Sequence, residues 1–85
     1  MTARITLIAK PGCHLCDEAR AVLTALQERV AFTLTDADIE ADDELFKRLL
    51  ERIPVIALDG EELYDFFVDA EDLELRLRKL AQEWI

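Results

Sequence analysis

Lys10-Pro11-Gly12-Cys13-His14-Leu15-Cys16 holds both cysteines and the single histidine of the chain, together with one of its two prolines and one of its two glycines. What stands on either side decides how this stretch is read. Before it, Arg4-Ile5-Thr6-Leu7-Ile8-Ala9 is a short apolar, β-rich run that stops at Pro11-Gly12, the pattern of a buried strand. After it, Leu15, Ala19, Val22, Leu23, Leu26 and Val30 recur at helical spacing, with Asp17, Glu18, Arg20, Gln27 and Glu28 left for the wet face. Ala31–Thr35 alternates and is β-branched enough for a second strand. A strand, a helix and a strand in so short a span form a βαβ unit, so the first two strands should be parallel.

Further along, the acidic run from Asp36 to Glu44 marks a loop and a helix start, and Leu45, Phe46, Leu49 and Leu50 give a short second helix. Ile53-Pro54-Val55-Ile56-Ala57-Leu58 and Glu61-Glu62-Leu63-Tyr64 flank Asp59-Gly60, a strong hairpin signal. Asp69-Ala70-Glu71-Asp72 reads as an N-cap followed by an acid, and Leu73, Leu77, Leu80 and Ala81 make the last helix, with Trp84 as its terminal anchor. Tyr64, Phe66 and Phe67 are expected to pack inward. The predicted order is β-α-β-α-β-β-α: an α/β fold with a four-stranded mixed sheet and three helices.

The length of 85 residues, 52% hydrophobic and 34% charged, suits one compact domain over residues 1–85. Residues 1–30 carry four basic and three acidic side chains, a net of +1; residues 31–85 carry six and sixteen, a net of −10. An acidic body argues against nucleic acid or an anionic membrane as partner. Neither a secretory signal nor a run of transmembrane length is visible, so a cytoplasmic location is expected. In that reducing setting two cysteines are more often catalytic or metal-binding than structural.

Cys-x-x-Cys at the opening of a helix in a βαβ unit is a specific signal. The helix N-terminus offers unpaired N–H groups and partial positive charge, which favour a thiolate over a thiol. Spacing i, i+3 puts both sulfurs on one side of the first turn. The first can attack from the exposed edge and the second, one turn deeper, can resolve the mixed disulfide. A metal site would need ligands from a second chain, because no other Cys or His is present besides His14 between the pair. A structural bridge across so few residues would constrain the unfolded chain little. A reactive dithiol is the reading these residues favour, and no metal or bound cofactor is expected. The rivals are a non-catalytic redox-sensing or adaptor domain, and an iron–sulfur or zinc carrier bridging two chains.

Lys10 to Cys16, with Ile53-Pro54-Val55 and Asp59-Gly60, resembles a glutaredoxin of the thioredoxin superfamily, of the small bacterial type with Cys-His-Leu-Cys. The resemblance covers nearly the whole chain in element order and implies a thioredoxin-like fold and a thiol–disulfide oxidoreductase. It makes Cys13 the nucleophile and Cys16 the resolving thiol. It makes Pro54 a cis-proline whose preceding residue, Ile53, offers backbone groups to a bound thiol partner. Lys10 matches the lysine that contacts a glutathione carboxylate. Gly12 shapes the turn before Cys13, and His14 is either a spacer or a support for the thiolate. The implied partners are a disulfide-containing protein or a glutathione mixed disulfide, with a thiol reductant system and the protein as a monomer. One feature departs from the family. Where glutaredoxins carry a glycine turn for the γ-glutamyl end of glutathione, this chain reads Leu63-Tyr64-Asp65-Phe66-Phe67-Val68-Asp69. Bulkier residues hinder that close backbone approach, so weak glutathione binding is expected.

Overall fold

The computed structural model describes residues 3–83. The elements are β1 (Arg4–Ala9), α1 (His14–Gln27), β2 (Thr33–Asp38), a 3-10 turn (Ile39–Ala41), α2 (Asp43–Leu49), β3 (Val55–Leu58), β4 (Glu61–Asp65) and α3 (Ala70–Glu83). Strand order in the sheet is β2-β1-β3-β4, with β1 parallel to β2 and the other neighbours antiparallel. The expected element order and mixed four-stranded sheet are both present. Among the described residues no helix is long and apolar enough to cross a membrane.

β1 lies inside the sheet, which is why its sequence is nearly continuous in apolar residues: Ile5, Leu7, Ile8 and Ala9 are all buried. α1 lays Cys16, Ala19, Leu23 and Leu26 against the sheet at i, i+3, i+7 and i+10. From α3, Leu73 and Leu77 enter the same core, and Leu49 from α2 and Ile39 from the 3-10 turn complete it. α2 is capped by the Asp42 carboxylate, which accepts from the N–H groups of Glu44 (2.9 Å) and Leu45 (3.3 Å). Asp69 caps α3 in the same way, accepting from Asp72 N–H at 3.1 Å, as its sequence predicts.

The β3–β4 hairpin turns on Asp59 (φ +49) and Gly60 (φ +91), two successive left-handed residues as in a type I′ turn. Asp59 also ties the turn to the start of β1, its N–H donating to Arg4 C=O at 2.8 Å and its Oδ1 accepting from Arg4 N–H at 2.9 Å. A bulge opposite Ile56 and Ala57 leaves Leu63 as the extra residue of β4.

Several expectations need correction. β2 does not span Ala31–Thr35 but Thr33–Asp38. Its parallel ladder with β1 runs from Arg4↔Thr33 to Ala9↔Asp38, so backbone pairing carries the strand on into the acidic run. That costs little because β2 is an edge strand whose acids face water. In α1, Leu15 and Val22 stand 44% and 36% exposed, rather than inside. Each is one residue off the Cys16–Ala19–Leu23–Leu26 stripe, a rotation of about 100°. Phe66 and Phe67 are exposed as well, because the chain leaves the sheet at Asp65 and turns outward. Tyr64 is half-buried; its hydroxyl donates to Asp72, and burial, followed by that carboxylate, pushes its ionisation up. Leu80 is half-buried and Ala81 exposed, while Trp84 lies outside the described residues.

Candidate active site

The register places the chemistry at one end of the sheet. Ile8 pairs with Val55, Ala9 with Asp38, and Val55 with Asp65. The loop after β1 (Lys10–Cys13), the residues before β3 (Ile53 and Pro54), the acids after β2 and the turn after β4 (Phe66 and Phe67) therefore gather at that end.

Lys10-Pro11-Gly12-Cys13 is a tight turn, closed by Cys13 N–H donating to Lys10 C=O at 3.4 Å. Proline in its second position and glycine at φ +80 in its third fit a type II turn, which needs a left-handed residue there. The turn delivers Cys13 as the N-cap of α1, with extended backbone (φ −83, ψ 111). Its sulfur accepts a hydrogen bond from Cys16 N–H at 3.1 Å, the part that a serine or aspartate oxygen plays in an ordinary cap. The same N–H and the helix dipole would stabilise a thiolate on Cys13. Cys16, one turn on, is 1% exposed and packed in the core, whereas Cys13 is only half-buried. The two sulfurs are joined as a disulfide with their Cα atoms 5.2 Å apart, within the ordinary range for a bridge. Two thiols of unequal access can thus interconvert with one disulfide with little movement of the backbone.

The other candidate residues distribute around this pair. Ile53 and Pro54 are buried at the head of β3, and the Ile53–Pro54 peptide is cis, as expected. Lys10 and Gly12 line an open cavity of about 200 Å3, together with Asp17, Arg20, Asp36 and Asp38. That cavity lies on the β2 side of the loop, and Cys13 is not part of its lining. His14 points to solvent: 88% of its side chain is exposed, and Nε2 lies 3.7 Å from Glu18 Oε1, one helical turn on. Among the described residues no group of three or more Cys, His, Asp and Glu side chains is arranged around a common metal position.

Three features escape the sequence. Arg20 bridges Asp17 (3.2 Å) on α1 and Asp36 (2.8 Å) on β2, so a clasp joins the first turn of the dithiol helix to the sheet. The i, i+3 spacing of Asp17 and Arg20 is a visible signal for half of it. Arg52, just before Ile53-Pro54, makes a bidentate pair with Asp65 at 2.8 Å on both arms and reaches Glu62 at 3.3 Å. Hydrogen bonding to the guanidinium holds the Asp65 carboxyl below its usual range. The third is Phe66 itself, at φ +69 without being glycine. Its N–H donates to Pro54 C=O (2.8 Å) and Arg52 C=O (3.3 Å), and Phe67 N–H returns to Asp65 C=O at 2.7 Å. The backbone thus makes a left-handed turn where the resemblance asks for glycine, with a phenylalanine in it.

Residues 4–78 match the model of the glutaredoxin-like domain (DUF836). Among solved structures, protein Ne2328 from Nitrosomonas europaea is similar, with a TM-score of 0.80 at 28% identity over 91% of this chain and 93% of that one. Protein XcR50 from X. campestris superposes with a TM-score of 0.71 at 32% identity, covering 88% of this chain and 96% of its own. A thioredoxin from Halobacterium salinarum shares the fold alone, with a TM-score of 0.64 at 18% identity over 91% of this chain and 73% of that one. The fold is thioredoxin-like, the Cys13–Cys16 pair supports a thiol redox role, and the chain belongs to the glutaredoxin-like domain family.

Proposed function

We propose that this protein is a thiol–disulfide oxidoreductase that reduces disulfides of proteins or small molecules. The observation carrying this reading is the asymmetry of the pair: a half-exposed sulfur at a helix N-cap, beside a buried one within bridging reach. The Cys13 thiolate attacks one sulfur of the substrate disulfide; a Cys13–substrate bond forms, and the other substrate sulfur leaves as a thiolate and takes a proton. Cys16 then gives up its proton and attacks the Cys13 sulfur. The second substrate thiolate departs, and Cys13–Cys16 holds the two electrons' worth of oxidation. Two equivalents of an external thiol restore the dithiol, which suits a reducing cytoplasm. Lys10, Gly12, His14, Ile53 and Pro54 would border the bound partner.

Glutathione is a poor fit as the donor. Two backbone donors of the turn after β4, Phe66 N–H and Phe67 N–H, are already spent on Pro54 and Asp65 carbonyls. Charge-assisted bonds lost in this way are worth about 1.5–3 kcal/mol each, more than one surface lysine returns. A thioredoxin-type reductase system is the better-matched source of electrons.

The test uses reduced Cys16→Ser and Cys13→Ser variants, alkylated across a range of pH. Cys13 should react at least about tenfold faster than Cys16 at neutral pH, because its thiolate is both favoured and accessible. Faster reaction at Cys16 would reverse the roles. No turnover of any disulfide substrate with either donor system would remove the enzymatic reading.

A further inference from the structure

The dithiol end of the sheet carries an apolar bracket and a rim of acids. Phe67 is 75% exposed and Phe66 and Leu15 are each 44% exposed, large side chains left in water at the end of the sheet that carries the half-buried Cys13. Phe66 is held in the left-handed region, where a bulky side chain is strained. Such strain lasts only where the surroundings over-determine it, and it gathers at ligand clamps. Here the bonds to Pro54 and Arg52 carbonyls and the bidentate Arg52–Asp65 pair impose it.

The charges complete the picture. Asp38 ends β2 at this end and Glu40, Asp42 and Asp43 come after it, while Asp69 and Glu71 follow the phenylalanines; all are exposed. Among the described residues none of these six forms an ion pair. Arg20 and Arg52, in contrast, are neutralised by their own carboxylates. Among the described residues Lys10 likewise forms no ion pair, and its single charge stands beside six unpaired acids.

We propose that this end of the sheet docks an extended, cationic polypeptide segment whose disulfide sulfur is flanked by an apolar side chain. This rests on the thiol–disulfide reading above and names its substrate class. The flanking apolar side chain sits against Phe66 and Phe67, the basic residues lie along the acidic rim, and the segment's sulfur meets Cys13. A new Cys13–segment S–S bond forms, while the segment's former sulfur partner leaves as a thiolate and is protonated. An acidic rim draws in a cationic segment and repels an anionic one, most strongly at low ionic strength.

The experiment uses the reduced full chain and short cysteine peptides activated as mixed disulfides with 2-thiopyridine, whose release is read by absorbance. Three peptides place Lys and Leu, Glu and Leu, or Lys and Ser beside the cysteine. At low ionic strength the Lys-Leu peptide should react at least about tenfold faster than Glu-Leu, a ratio that shrinks toward one in high salt. It should also exceed Lys-Ser by about fivefold, the worth of partly burying one leucine. In Phe67→Ser that leucine-over-serine ratio should collapse toward one. Equal rates for all three peptides, or preference for the Glu-Leu peptide, would overturn the proposal while leaving the redox reading intact. If Cys13 fails to react even with 2,2′-dithiodipyridine, a small neutral disulfide, the redox reading itself fails.

Discussion

Replacing Gly12 with alanine isolates the cost of the turn that presents Cys13. Gly12 sits at φ +80, and an added Cβ would meet nothing within 4 Å, so steric clash drops out of the sum. What remains is backbone preference. Placing an L-residue in the left-handed region costs about 1–2 kcal/mol, offset by about 0.4–1 kcal/mol because alanine narrows the unfolded ensemble. The midpoint, a loss of about 0.8 kcal/mol, lowers Tm by roughly 3–6 °C in a domain of this size. Gly60 supplies the control: at φ +91, also with open space around its Cβ position, it turns the hairpin rather than the dithiol loop. Gly60→Ala should lose a similar amount, but only Gly12→Ala should slow alkylation of Cys13, because only that turn positions the N-cap sulfur. The assay is thermal and urea unfolding of the reduced proteins, with iodoacetamide rates measured alongside. An unchanged or raised Tm in Gly12→Ala would refute the left-handed assignment. Equal slowing of Cys13 by both variants would refute the claim that the Lys10–Cys13 turn acts locally.

Two further perturbations probe the frame around the site. Asp65→Asn removes the bidentate partner of Arg52. Because the Asp65 ionisation is depressed in the folded state, its contribution is present above the unfolded value near pH 3.9 and is lost as pH falls through the folded one. The variant should therefore melt below the parent at pH 7, with the gap closing below about pH 4; a gap that persists in acid would point to packing rather than charge. Leu23→Ala empties a fully buried position on α1 beside Cys16 and Ala19 and should cost about 2–5 kcal/mol in urea unfolding, a large share of the total stability of a small domain. A loss below about 1 kcal/mol would mean that α1 is not seated on the sheet as described.

The parts of this molecule that were legible in the sequence are those set by near neighbours. Pro11-Gly12 stops β1 and builds the turn, Cys13 caps the helix that follows, and Asp59-Gly60 makes the hairpin; each rests on residues a few positions apart. The placement of both cysteines at the start of α1 followed from that. What stayed hidden depends on residues far apart. The end of β2 is set by its ladder with β1, and no property of Asp36 or Asp38 alone announces a strand. The Arg20–Asp36 contact joins α1 to β2 across 16 positions, and the Arg52–Asp65 contact joins the turn before β3 to the end of β4 across 13. Phe66 and Phe67 look like core by composition, and only the path of the chain beyond Asp65 puts them in water. The left-handed turn at Phe66 was invisible for a related reason: sequence marks such turns by glycine, and here bonds from elsewhere impose the conformation on another residue.

The strand order has a colloidal consequence. With β1 and β3 inside, β2 and β4 each present one unpaired flank of N–H and C=O groups, the feature that lets sheets recruit further strands. Both flanks are short and studded with acids, Asp36 and Asp38 on one and Glu61, Glu62 and Asp65 on the other. Among the described residues Asp38 and Glu61 carry no ion-pair partner, and a net charge of −9 on each chain would oppose the approach of a second copy from further out. The acidity that shapes the rim of the dithiol site therefore also guards both open sides of the sheet against growing into a fibre.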